Sequence, residues 1–170
     1  NEAGGGSSNG NPKAATWNED VTKWSMAKVV KFEYMFEGAE AFEGNGVALW
    51  DVSSATSLAH MFHGATAFNG DVKAWSTGNV VQMNGLFQDG SNFNADLSAW
   101  STVKLTDMSA IFLGATVFNS DITKWAVNKV TNMKRSIESA RAFDQDLREW
   151  NVALVAADGM AGTFSNTNAL

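Results

Sequence analysis

Six tryptophans stand almost evenly along the chain, Trp24, Trp50, Trp75, Trp100, Trp125 and Trp150, with one interval of 26 residues and four of 25. A large aromatic lies seven residues before most of them: Trp17, Phe68, Phe93, Phe118 and Phe143, with Phe42 eight before because of one inserted residue. Twelve residues after the first five stand Phe36, Phe62, Phe87, Phe112 and then Ile137. Self-similarity at such a period is the signature of stacked repeats. A lone unit of about 25 residues has too few large apolar side chains to offset the backbone entropy of ordering it, so neighbours must cover both of its faces. This predicts a single elongated solenoid over residues 16–170, with coils starting near 17, 42, 68, 93, 118 and 143. Residues 1–15, rich in Gly, Ser and Asn and holding the only Pro, read as a flexible leader or linker.

Within one coil the pattern predicts two kinds of local structure. Met108, Ile111, Phe112 and Ala115 recur at helical spacing, with Thr106 or Asp107 as a natural N-cap and Gly114 as a stop. Equivalent sets are Met83, Leu86, Phe87 and Gly90, and Leu58, Met61, Phe62 and Ala65. The segment Asp121-Ile122-Thr123-Lys124-Trp125 is too short and too β-branched for a helix and reads as a strand paired in parallel with its copies. Lys129-Val130-Thr131 is a second extended candidate. The expected fold class is therefore an α/β repeat solenoid, leucine-rich-repeat-like, with a short parallel strand and a short helical segment per coil.

The run Phe-Asn-x-Asp-(Leu/Ile/Val)-x-x-Trp appears at 68–75, 93–100 and 118–125, followed by Val-Thr-x-Met at 130–133 and Met-Phe-x-Gly-Ala at 61–65. With these motifs the chain resembles the BspA-like bacterial surface protein repeat, a relative of the leucine-rich repeats found also in mycoplasma-type lipoproteins. The resemblance covers residues 17–170. It implies an α/β solenoid, cell-surface or secreted display, and protein binding or adhesion, and it brings no catalytic residues. Trp17 in place of the first Phe, the insertion between Phe42 and Trp50, and a Phe at 164 in the last coil depart from the pattern.

Composition narrows the chemistry. A net charge of −6 with only Lys134–Arg135 as adjacent basic residues argues against nucleic acid. Absence of Cys removes disulfides and thiolate chemistry. No apolar run reaches membrane-spanning length. The first residues lack the basic-then-apolar pattern of a signal peptide, and a mature form fits equally.

The tryptophans could form a sugar-binding platform, but one repeated position beside apolar neighbours reads better as core. His60 and His63 are the only histidines, at positions filled elsewhere by Tyr34, Gly85, Ala110 and Gln88, which is a thin basis for a metal site. Glu33, Glu37 and Glu40 read as a solvated acidic face. No independent His is available to activate a serine, and Gly4-Gly5-Gly6 lies in the leader rather than after a strand. A non-enzymatic protein is expected. The remaining constellation is the Asn-x-Asp ladder at Asn69/Asp71, Asn94/Asp96, Asn119/Asp121 and Asp144/Asp146, preceded by Asn18/Asp20. Asp71, Asp96, Asp121 and Asp146 can hydrogen-bond backbone N–H groups at each turn or act as a calcium ladder. The structural role is the first reading and calcium the second.

Three functions fit. The first is an extracellular or cell-surface module for protein interaction or adhesion. The second is a self-assembling structural subunit, filament or surface layer, built by end-to-end stacking, because no polar capping coil is evident in the last repeat. The third is an ice- or crystal-binding surface on the row Val30, Thr56, Val81, Thr106 and Thr131.

Overall fold

A computed structural model describes residues 12–167. The repeats lie one above another, and each coil is assembled from successive tight turns. In the coil that opens at Phe93, the N–H groups of Trp100, Leu105, Ile111, Leu113, Ala115 and Phe118 each bond the carbonyl three residues back, at 3.0–3.3 Å. Between these turns, alternate N–H groups reach the next coil. Met108, Ala110, Phe112 and Gly114 donate to the carbonyls of Asn132, Lys134, Ser136 and Glu138 at 2.8–3.0 Å. The backbone groups of the segment are thus shared between local turns and a neighbour about 24 residues away in sequence.

This corrects the expected α/β solenoid with a leucine-rich-repeat-like strand and helix in each coil. Among the described residues the only α-helix is the single turn Pro12–Ala15, with short 3-10 turns at Val47–Leu49 and Ala157–Met160. The span 108–115 is not helical, because Ala110 (φ 54°) and Gly114 (φ 73°) are left-handed, a conformation that ends an α-helix wherever it occurs. A two-turn helix would also strand N–H groups at one end and carbonyls at the other. Turns that pass every second N–H to the adjacent coil strand none. Asp107 pairs across coils as an isolated bridge residue instead of capping a helix.

The expected strand 121–125 is likewise a turn. Trp125 N–H donates to the Ile122 carbonyl at 3.0 Å and Thr123 N–H to Asp121 Oδ1 at 2.9 Å. Among the described residues parallel pairing survives only as single-residue bridges, Lys31 to Ser57, Ser57 to Gln82, Gln82 to Asp107 and Asp107 to Asn132. The second extended candidate, 129–131, lies immediately before the Asn132 bridge. Turns on both sides of each bridge leave no room for the pairing to spread into a sheet.

The period has its physical basis in aromatic columns. Trp50, Trp75, Trp100 and Trp125 stack at centroid separations of 6.2 Å with rings within 7° of parallel. Each of these indoles, and Trp150, donates Nε1–H to a carbonyl of the preceding coil; Trp75 reaches Val47 and Trp100 reaches Val72, both at 2.9 Å. A second column runs Phe42, Phe68, Phe93, Phe118, Phe143, and a third Phe36, Phe62, Phe87, Phe112. Within a coil the two phenylalanine columns touch, as at Phe87 and Phe93, 3.6 Å apart. All these phenylalanines are buried.

Trp17 stands at the first step of the Phe42 column, 5.2 Å from that ring. The expected leader falls largely outside the described residues. Of its last part, Pro12–Ala15 forms the helical turn, Ala14 is buried, and the Ala15 carbonyl accepts Ala41 N–H.

Candidate interaction face

The left-handed positions recur at two places in every coil, and the side chains at the first of them differ from one copy to the next. One column holds Tyr34, His60, Gly85, Ala110 and Arg135, all at φ between 54° and 62°. The other holds Gly38, Gly64, Asp89, Gly114 and Ser139, at φ between 57° and 73°. Left-handed backbone is strained for side chains other than Gly, Asn and Asp. Tyr, His and Arg stand there because hydrogen bonds to the next coil hold the shape: Tyr34 N–H to Ala59, His60 N–H to Asn84, Arg135 N–H to Ala161.

The most structured part of this face lies where the first three coils meet. The Tyr34 ring stacks on the His60 imidazole, 5.0 Å apart and 5° from parallel. Asn84 Nδ2 lies 3.1 Å from His60 Nε2, and His60 Nδ1 is buried with no hydrogen-bond partner among the described residues. Burial, together with the nearby His63, lowers the His60 pKa. His63 Nδ1 donates to Glu37 Oε1 at 3.0 Å, and its Nε2 lies 3.6 Å from Asp89 Oδ2. Glu37 is therefore a hydrogen-bond partner in this cluster, and Glu33 lies 3.8 Å from Lys31, while Glu40 is exposed. The expected uniform acidic face is divided in this way. Among the described residues no three His, Cys, Asp or Glu side chains converge to hold a metal ion, and no serine hydroxyl bonds either imidazole.

Each ladder aspartate turns its Oδ1 onto its own chain. Asp71, Asp96, Asp121 and Asp146 accept the N–H two residues on, from Lys73, Ser98, Thr123 and Arg148, at 2.9–3.1 Å. Asp20 and Asp51 do the same for Thr22 and Ser53. Repulsion between stacked carboxylates is offset locally. Lys73 Nζ reaches across to Asp96 Oδ2 at 2.7 Å and, with Ser98, holds that carboxyl far below the usual range. Hydrogen bonds from Arg148 hold Asp146 down at about 2. The Thr123 hydroxyl and N–H lower Asp121.

The asparagines of the motif do a different job, which the sequence reading merged with that of the aspartates. Asn69, Asn94 and Asn119 each accept, through Oδ1, the N–H of the equivalent residue one coil on, at 2.8–2.9 Å. Asn18 does so for Glu43 at 3.1 Å.

The tryptophan platform is absent from the surface: Trp50, Trp75, Trp100 and Trp125 are buried, with Trp24 and Trp150 partly so at the outer coils. In the Val/Thr row the hydroxyls of Thr56, Thr106 and Thr131 are turned back onto carbonyls of the preceding coil at 3.2–3.3 Å. Sequence reasoning overlooked Asn84 and Asp89 as partners of the histidines. The legible signal was Gly85, a position without a side chain directly after a coil that offers an imidazole there.

Stacked turns with constant inner columns and a varied outer face define a repeat protein. The chain belongs to the family described as Mycoplasma protein of unknown function, DUF285, whose model matches residues 10–104 and again residues 71–170. No curated protein and no solved structure matches it. No helix among the described residues is long and apolar enough to cross a membrane.

Proposed function

We propose that this chain is a non-enzymatic module, displayed on a cell surface or secreted, that binds proteins or mediates adhesion in the manner of a BspA-like surface repeat. The observation that supports this reading is the contrast between columns. Phe36, Phe62, Phe87 and Phe112 repeat one side chain inside, while Tyr34, His60, Gly85, Ala110 and Arg135 vary on one unchanging backbone shape outside. A scaffold whose shape does not depend on its outer residues leaves them free to differ according to what they contact. The exposed Tyr34 and Arg135 are residue types enriched at protein interfaces.

The test is a titration of the labelled chain onto intact cells, before and after their surface proteins are removed by protease. Saturable, protease-sensitive binding is expected, weakened at least tenfold by Tyr34→Ala combined with Arg135→Ala. Unsaturable binding, or saturable binding indifferent to protease and to both substitutions, overturns the reading.

A further inference from the structure

Three Asn-Gly pairs fall among the described residues, Asn45-Gly46, Asn69-Gly70 and Asn84-Gly85. Such a pair is chemically labile. With no Cβ on the glycine, its backbone bends freely and its nitrogen can reach the asparagine Cγ. The coils hold the three pairs very differently.

Asn84 is held from both sides. Gly85 N–H donates to the Ser109 carbonyl at 2.8 Å, the Asn84 carbonyl accepts His60 N–H at 2.9 Å, and Asn84 Nδ2 lies 3.1 Å from His60 Nε2. At Asn69 the Gly70 N–H has no acceptor among the described residues, but the side chain is tied across the junction, where Oδ1 accepts Asn94 N–H at 2.9 Å.

Asn45 differs because of the inserted residue. It stands at the step where Asp20, Asp71 and Asp96 fold Oδ1 onto the N–H two residues on. With Gly46 (φ 94°) behind Asn45, Val47 N–H turns instead to the Gly44 carbonyl at 3.2 Å. Among the described residues nothing donates to Asn45 Oδ1, and Nδ2 has only a long contact to Asn18 Oδ1 at 3.5 Å. Gly46 N–H finds no acceptor among them either. Asn45 is exposed, so its side chain has room to turn onto that nitrogen.

We propose that Asn45 is a self-modification site, converted by its own chain and water without an enzyme. Gly46 N bonds to Asn45 Cγ, the Cγ–Nδ2 bond breaks, and ammonia leaves with the Gly46 amide proton. Water then opens the five-membered imide. Attack at Cγ restores the main chain and leaves aspartate. Attack at the backbone carbonyl carbon leaves isoaspartate, with the chain running through Cγ. The Asn45 carbonyl accepts Val21 N–H at 3.0 Å, a bond between the first and second coils. Isoaspartate turns that carbonyl into a free carboxylate and lengthens the chain, so the first coil loosens as the protein ages.

Peptide mapping by mass spectrometry tests this with the full chain incubated at pH 8, folded and in urea. In the folded chain, conversion of amide to acid is expected at least tenfold faster at Asn45 than at Asn69 or Asn84. In urea the three rates are expected to converge. Equal rates in the folded chain, or a faster site at Asn69 or Asn84, overturn the proposal, as does an Asn45 that leads by the same margin in urea. Hydrogen exchange at Val21 is expected to speed up in the aged chain and to stay unchanged in Asn45→Gln aged alongside. Conversion to isoaspartate with Val21 still protected overturns the loosening of the first coil.

Discussion

The His60 imidazole occupies the space that a side chain at Gly85 would need: a Cβ there would lie 2.2 Å from His60 Nδ1. Glycine at this step of the left-handed column is therefore a response to the histidine one coil earlier. The backbone shape does not demand it, since Ala110 takes the same conformation one coil later. Gly85→Ala is expected to destabilise by about 1–3 kcal/mol, the usual cost of overpacking. In a His60→Ala background the same change is expected to cost clearly less. A double-mutant cycle by chemical denaturation measures the difference, and equal costs in both backgrounds would show that the imidazole is not the obstacle.

His60 also makes stability depend on pH. Its folded pKa lies below the ordinary 6.5, because burial disfavours the charged ring. The unfolded chain then binds the proton more readily, so stability is complete above 6.5 and is lost as pH falls from there through the folded value. Denaturation midpoints at pH 7.5 and 5.5 are expected to converge in His60→Asn relative to the wild type.

The aspartates act at lower pH. Asp20, Asp51, Asp96, Asp121 and Asp146 all have folded pKa values below the ordinary 3.8. Their contribution is present above 3.8 and disappears as pH falls through the folded values. Asn132 and Asn151 already make the same turn bond, to Lys134 and Ala153 N–H at 3.2 Å. Asp121→Asn is therefore expected to melt near the wild type at pH 7 and Asp121→Ala lower. Millimolar calcium is expected to leave the melting temperature unchanged, because each Oδ1 is already occupied; a concentration-dependent rise in calcium would assign the ladder to the ion.

Trp100 stacks between Trp75 and Trp125 and spends its Nε1–H on Val72. Trp100→Ala is expected to cost about 3–5 kcal/mol. The same change at Trp17, which is only partly buried, is expected to cost clearly less, as read from urea denaturation of both variants.

Hydrogen exchange is expected to separate the coils by position. Amides of Met83, Phe87, Met108 and Phe112, bonded across internal junctions, should exchange slowest, and those of Gly162 and Asn166 fastest.

The sequence by itself determined the period and the identity of the core columns. Those properties follow from residue type at each step: an aromatic every 25 residues has to find its copy. The helix and the strand were misread for one shared reason. Met108, Ile111, Phe112 and Ala115 have the spacing of a helix face, yet turns that bury the same residues produce that spacing as well. Whether Phe112 N–H goes back along its own chain or across to Ser136 depends on where the next coil's carbonyl stands, and only the stacked structure places it. The same holds for the face. Nothing in the spacing of His63 reveals that Glu37 and Asp89, from the coils on either side, meet its imidazole. That meeting is a consequence of register, and register is set by how whole coils stack.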